Sequence, residues 1–180
     1  GFIAYRSMID YMGAKAIALP HRMENKFSFD ANELLSLIND KTRLIILNSP
    51  ANPTGGVVSH QELKKLAKGL QKFPNVFVLS DEIYSRILFD GHKHSSLLTF
   101  PEIRDRVIVL DGWSKTYSMT GWRLGYGIFP KNIFKYAEKL AINCHSCISI
   151  PTQLAGIEAL KGSQDSVNKM NQEFQERRDF

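Results

Sequence analysis

The chain has 180 residues, 43% apolar and 23% charged, which places it with ordinary globular proteins that have material for one hydrophobic core, so one domain is the default. Its net charge of +5 comes from lysines and arginines spread along the chain without a basic run or arginine-rich patch; it reads as solvated helix faces, and nucleic acid is not an expected partner. No apolar stretch is long enough to span a bilayer and the N-terminus lacks a signal-peptide layout, so a cytoplasmic protein without membrane attachment is the expectation.

Phe2 to Met12 places Tyr5, Met8, Ile9 and Met12 at helical spacing, with Gly13 as the C-cap. Ala16 to Leu19, an apolar run before Pro20, is expected to be a strand. Asp30-Ala31-Asn32-Glu33 has capping-box form and opens a helix expected to bury Leu34, Leu37 and Ile38. Leu44 to Leu47 is an unbroken apolar run, as a strand covered on both faces requires. Ser59-His60-Gln61-Glu62 is a second capping box; Leu63, Leu66, Ala67 and Leu70 then form one apolar stripe, while Lys64, Lys65 and Lys68 face water. Val76 to Leu79 and Val107 to Leu110 read as the next buried strands. Strand, helix and strand joined by short loops is the βαβ signature, so the expected class is α/β, a mostly parallel sheet with helices on both faces in three layers.

In open α/β sheets, ligands bind beyond the carboxyl ends of the strands. Three strands here end in polar clusters: Asn48-Ser49-Pro50-Ala51-Asn52-Pro53-Thr54-Gly55-Gly56, Asp81-Glu82-Ile83-Tyr84, and Asp111 to Tyr126. Parallel strands would gather all three on one edge. Taken singly, the first is a proline-glycine turn and Asp81 an N-cap or turn residue. The third lies between two apolar runs, in a bend that holds Lys115 and Arg123 among hydroxyls and glycines. A partly desolvated lysine there has a lowered pKa and a nucleophilic amine. The plainer alternative is a polar hairpin with Trp113 and Trp122 as core anchors.

Cys144-His145-Ser146-Cys147 is a C-x-x-C pair that follows the helical pattern Lys131 to Asn143. A zinc site needs two further ligands at matching spacing, and a thioredoxin-type pair sits between strand and helix near the start of its domain. Neither condition is met, and no metal site is expected. Gly125-Tyr126-Gly127 suggests a nucleotide-binding module, but the third glycine of the dinucleotide fingerprint is absent.

With all three clusters in order and at matching spacing, the chain resembles the fold-type-I pyridoxal-phosphate aminotransferases of class I/II. Asn52-Pro53-Thr54-Gly55 is similar to that family's asparagine-proline-threonine-glycine loop, Asp81 to Tyr84 to its aspartate-x-x-tyrosine, and Ser114-Lys115 through Arg123 to its cofactor-lysine segment. Met119 to Tyr126 matches almost word for word. The resemblance implies pyridoxal 5'-phosphate as cofactor, an amino acid and a 2-oxo acid as substrates, and a homodimer. It implies that Lys115 forms an imine with the cofactor aldehyde and then moves a proton between the substrate α-carbon and the cofactor. Asp81 would face the pyridine nitrogen, making the ring an electron sink. Asn52 and Tyr84 would hydrogen-bond the ring's 3′ oxygen, and Arg123 with Ser114 would hold the phosphate.

Within the segment, Gly112 stands where some members of the family carry a phosphate-binding serine. The resemblance implies that 1–162 is part of the large, cofactor-binding domain and that 163–180 begins the helix leading to the small one. On that expectation the N-terminal arm, the upstream phosphate loop, the ring-stacking aromatic and the carboxylate-binding arginine lie outside the sequence. These 180 residues alone are then expected to transaminate poorly or not at all. The Val167, Met170 and Phe174 stripe would lack a partner. The same core supports carbon–sulfur elimination and aminocyclopropane-carboxylate formation, and a non-catalytic fragment is the remaining alternative.

Overall fold

The computed structural model describes residues 2–180. The main elements run α1 (Ile3–Tyr11), α2 (Ala31–Ser36), β1 (Leu44–Asn48), α3 (His60–Leu70), β2 (Phe77–Asp81), β3 (Val107–Gly112), β4 (Gly125–Ile128), α4 (Lys131–His145), α5 (Ile150–Lys161) and α6 (Asp165–Asp179), with short 3-10 turns between. The strands form one sheet in the order β1-β2-β3-β4. β1, β2 and β3 are parallel, and β4 is antiparallel to β3 because it returns directly through the bend that carries Lys115. The register aligns Asn48 with Asp81 and Asp81 with Leu110, so the carboxyl ends of the parallel strands lie side by side.

Alternation along the strands decides what faces the core. Leu47, Val78, Val107 and Val109 share a face and pack with Leu34 of α2 and Leu63, Leu66, Ala67 and Leu70 of α3. Leu66 and Leu70 are fully buried, each contributing roughly 2 kcal/mol of hydrophobic stabilisation. On the other face, Tyr5 of α1 reaches Asp81 at the end of β2. Among the described residues no helix is long and apolar enough to cross a membrane.

Both capping boxes start their helices but close differently from the expectation. The Asp30 carboxylate accepts the Asn32 and Glu33 N–H groups at 2.8 and 2.9 Å, and Ser59 Oγ accepts the Glu62 N–H at 3.2 Å. The two glutamates then turn to tertiary partners. Glu33 pairs with Arg22, while Glu62 accepts the Ala31 N–H at 2.9 Å and so ties α3 to the first turn of α2.

Four expectations need correction. Ala16 to Leu19 forms no strand; Leu19 packs on the core as part of a connecting segment. Leu37 is 40% exposed because α2 stops at Ser36, where the helical period that would bury it also ends. Trp122 is 49% exposed and anchors no core, in contrast to Trp113, whose indole N–H donates to the Gly156 carbonyl at 3.0 Å. The α6 stripe is partnered in part: Val167 is buried and Met170 Sδ accepts the Ser118 hydroxyl, while Phe174 is 40% exposed. Arg178 on α6 donates two bonds to Asp90, at 2.7 and 2.8 Å, and Asn171 donates to the Leu88 carbonyl at 2.8 Å.

Candidate active site

The loop after β1 is tied to β2 before it presents any side chain. The Asn48 amide and the Ser49 N–H both donate to the Asp81 carbonyl at 3.2 Å, and the Val58 N–H donates to Ser49 Oγ at 3.0 Å. Between these ties the chain turns back on itself, with the Gly55 N–H on the Ala51 carbonyl at 2.8 Å. Gly55 has φ +70, in the left-handed region that glycine enters without strain. The turn leaves Asn52 exposed, and its side-chain amide donates to the Tyr84 hydroxyl at 2.8 Å.

At the end of β2, alternation sends neighbouring acids to opposite sides. Asp81 is half-buried; its Oδ2 accepts the Tyr5 hydroxyl at 2.6 Å and its Oδ1 the Ile83 N–H at 3.3 Å. Burial, and then the bond to Asp81 and its charge, hold the Tyr5 phenol well above the usual tyrosine range. Glu82 points the other way and is only 6% exposed. Its carboxylate accepts Ser80 Oγ at 3.0 Å, Ser96 Oγ at 2.8 Å and His94 Nε2 at 2.7 Å, which satisfies a charge that burial alone would not tolerate.

The β3–β4 bend is folded by its own backbone and hydroxyls. Trp113 donates to the Leu124 carbonyl at 3.2 Å, Thr120 Oγ1 to the Ser114 carbonyl at 2.9 Å, and the Arg123 guanidinium to the Thr120 carbonyl at 2.8 Å. Ser118 and Arg123 adopt left-handed φ values of 52 and 57, each a strain of roughly 1 kcal/mol or more that the surrounding bonds hold in place. Gly156 of α5 packs so closely that a Cβ there would lie 2.4 Å from Leu124. Lys115 is half-buried, and its ammonium stands 5.8 Å from the centre of the Tyr84 ring.

Asn52, Tyr84 and Lys115 are therefore brought together, and Asp81 lies on the same strand-end edge, engaged with Tyr5. Ser114 precedes Lys115, and its hydroxyl makes no hydrogen bond among the described residues. The Arg123 side chain donates to the Thr120 carbonyl; it is exposed and lines an open cavity of about 600 Å³ with Ser118, Trp122, Cys147, Ser149 and Thr152. Cys144, in the last turn of α4, and Cys147 are exposed free thiols. Gly112 meets the paired strand: a Cβ there would lie 2.9 Å from both Gly125 Cα and the Leu124 carbonyl oxygen.

Several site residues escaped sequence reasoning. Tyr5 read only as one member of a helical stripe, and no local signal links it to Asp81. Glu82 had a usable signal, since alternation continued past Ser80 turns it inward, toward a downstream His94 and Ser96. Asp111 is a third case. Burial raises its pKa against the opposing bonds from the Gly112 N–H, Ser85 and Tyr126.

The sequence profile described as Aminotransferase class I and II matches residues 1–180. A probable aspartate/prephenate aminotransferase of Rickettsia felis is 37% identical over 99% of this chain and 44% of its own length. An aspartate aminotransferase of Sulfolobus acidocaldarius is likewise 37% identical over 99% of the chain and 44% of its length. Among solved structures, the aromatic aminotransferase of Pyrococcus horikoshii superposes with a TM-score of 0.94 at 32% identity, over 99% of this chain and 48% of that one. The aspartate aminotransferase of Rhizobium meliloti gives 0.94 at 31% identity, over 99% and 45%. The chain thus spans less than half the length of these relatives. Its four-stranded sheet, its strand-end loops and the full-length profile match agree: the chain belongs to the class I and II aminotransferases.

Proposed function

We propose that the whole protein is a pyridoxal 5'-phosphate-dependent aminotransferase that moves an amino group between an amino acid and a 2-oxo acid, with Lys115 as its attachment residue. Family membership and the names of the relatives support this reading. The observation that carries it is the grouping of Lys115 over the Tyr84 ring, with Tyr84 held by Asn52 at 2.8 Å, on the strand-end edge where β2 delivers Asp81.

The donor set fits the cofactor. A carboxylate suits a ring N–H, an amide and a phenol suit a ring oxygen, a primary amine suits an aldehyde, and a guanidinium with a hydroxyl suits a phosphate. When bound, pyridoxal 5'-phosphate supplies an aldehyde that condenses with amines and a cationic ring that draws electrons from the bonds of the attached carbon. Asp81 would accept the ring N–H on lone pairs that Tyr5 and the Ile83 amide leave open. Asn52 and Tyr84 would fix the ring's orientation, and Arg123 with Ser114 would bind the phosphate. Lys115 would supply the amine that holds and moves the proton at the substrate α-carbon. In the same reading, 1–162 form part of the large domain and 163–180 lead toward a small one. The protein is a homodimer, a state consistent with the exposed Phe134, Leu140, Leu154 and Ile157 on α4 and α5.

The test is chemical labelling of the whole protein. Incubation with pyridoxal 5'-phosphate, borohydride reduction and peptide mass spectrometry should place one pyridoxyl group on Lys115. Lys115→Ala should carry none and should lose amino transfer to a 2-oxo acid acceptor. A label retained in Lys115→Ala, or absent from the wild type, overturns the proposal. Release of pyruvate and ammonia in place of a new amino acid would reassign the chemistry to elimination.

A further inference from the structure

We propose that Arg86 and Gln164 are positioning residues for Lys115, acting through the Tyr117 hydroxyl; this rests on the cofactor reading above. The Arg86 guanidinium donates to the Tyr117 hydroxyl at 2.9 Å and to Gln164 Oε1 at 2.6 Å, and the Tyr117 hydroxyl donates to the same Oε1 at 3.1 Å. The three side chains come from segments distant in sequence: the loop after Tyr84, the bend that holds Lys115, and the turn between α5 and α6. Gln164 is a fixed acceptor. Its amide nitrogen donates to the Ala159 and Gly162 carbonyls at 3.0 and 2.9 Å, which leaves Oε1 for the other two side chains. Arg86 is exposed, yet its segment is tied along α6. The Leu88 carbonyl accepts the Asn171 amide at 2.8 Å, and the Asp90 N–H donates to Gln175 at 3.1 Å.

The cluster stands just beyond each of the two groups that meet in the candidate site. Arg86 follows Tyr84 by two positions, and Tyr117 follows Lys115 by two. The Lys115 amine has no hydrogen-bond partner among the described residues, only the Tyr84 ring with its centre 5.8 Å away, so its place is set by the backbone that carries it. That backbone is closed by the Tyr117 N–H on the Trp113 carbonyl at 3.1 Å and the Ser118 N–H on the Lys115 carbonyl at 3.2 Å. It ends on Ser118 at φ 52, a strained conformation that persists only where its surroundings hold it. The Tyr117 hydroxyl supplies such a hold, since it joins the Lys115 turn to the segment that carries Tyr84 and to the start of α6 at one point.

The test begins with the cofactor-free whole protein. Reductive methylation with carbon-13 formaldehyde puts labelled methyl groups on lysines, and the Lys115 signal is identified by its loss in Lys115→Arg. Methyl protons over a ring face resonate upfield, and Tyr84→Leu measures the size of that displacement. Tyr117→Phe and Arg86→Met should each remove about half of it or more. The double variant should move no further than Tyr117→Phe, because Arg86 reaches the bend through the hydroxyl. With cofactor bound, both single variants should lower kcat by about ten-fold or more and change the dissociation constant of pyridoxal 5'-phosphate by less than about two-fold. A uniform loss of stability produces neither pattern. A Lys115 signal that stays in place in the two variants, a wild-type signal that Tyr84→Leu does not move, a double variant that moves further, or an unchanged kcat overturns the proposal. A wild-type protein with a displaced Lys115 signal that takes no pyridoxyl label at Lys115 overturns the cofactor reading itself, an outcome distinct from the others.

Discussion

Replacing Gly112 by alanine should prise apart the seam between β3 and β4. The new Cβ would lie 2.9 Å from Gly125 Cα and 2.9 Å from the Leu124 carbonyl oxygen. Carbon atoms in contact sit near 3.5–4.0 Å, so the strands must separate by about 0.6 Å or more. Both obstructing atoms are backbone in or beside a paired strand and cannot swing aside as the end of a side chain would. Overpacking of this kind costs about 1–3 kcal/mol. The Trp113 N–H donates to the same Leu124 carbonyl at 3.2 Å, and its loss adds about 1 kcal/mol. A destabilisation of about 3 kcal/mol follows, measured as the urea-unfolding free energy of the whole protein beside Gly121→Ala. Gly121 lies in the same bend with nothing within 4 Å of its added Cβ and should be close to neutral. Gly112→Ser should share the loss, since its Cβ meets the same backbone atoms. A Gly112→Ala protein within about 0.5 kcal/mol of wild type would refute the reasoning, because it would mean that the seam yields freely.

Two further outcomes are expected. Glu82→Ala leaves Ser80, Ser96 and His94 without their shared acceptor in a buried site and should cost about 3 kcal/mol in the same unfolding assay; a loss near zero would mean water replaces the carboxylate. Asp111 binds its proton more tightly folded than unfolded, chiefly through burial, so its contribution to stability is complete below the ordinary aspartate pKa of about 3.9 and is lost as pH rises through the higher folded value. Asp111→Asn removes that titration. Its stability relative to wild type should therefore improve from acid toward neutral pH, and a difference that stays constant with pH would exclude the effect.

Much of the fold was legible because it is local. The α3 stripe of Leu63, Leu66, Ala67 and Leu70 is buried as its spacing requires, and Asp30 and Ser59 cap the helices they precede. The expectation failed where a local pattern competed with a distant partner. Glu33 and Glu62 have the form of reciprocal caps, yet Arg22 and the Ala31 amide offered better geometry. Ala16 to Leu19 has strand composition, but it pairs with no strand of the sheet. The partner of Met170 in the α6 stripe, Ser118, is remote in sequence, as are Leu88 and Asp90, which hold Asn171 and Arg178 of the same helix.

The sequence by itself determined the chemistry on offer: an amine at Lys115, a carboxylate at Asp81, the amide and phenol of Asn52 and Tyr84, and a guanidinium at Arg123, in an order and spacing that places them after strands. That much is carried by residue identity and short periodicities, which act over a few positions. Only the tertiary structure decided which of them meet. Parallel register sets Asn48 beside Asp81, loop closure brings Asn52 to Tyr84 and Lys115 over its ring, and alternation sends Glu82 inward while Asp81 turns outward to Tyr5. A bond across 76 residues depends on strand order and helix docking, which are set by the burial of the whole core, and no window of sequence around Tyr5 or Asp81 contains it.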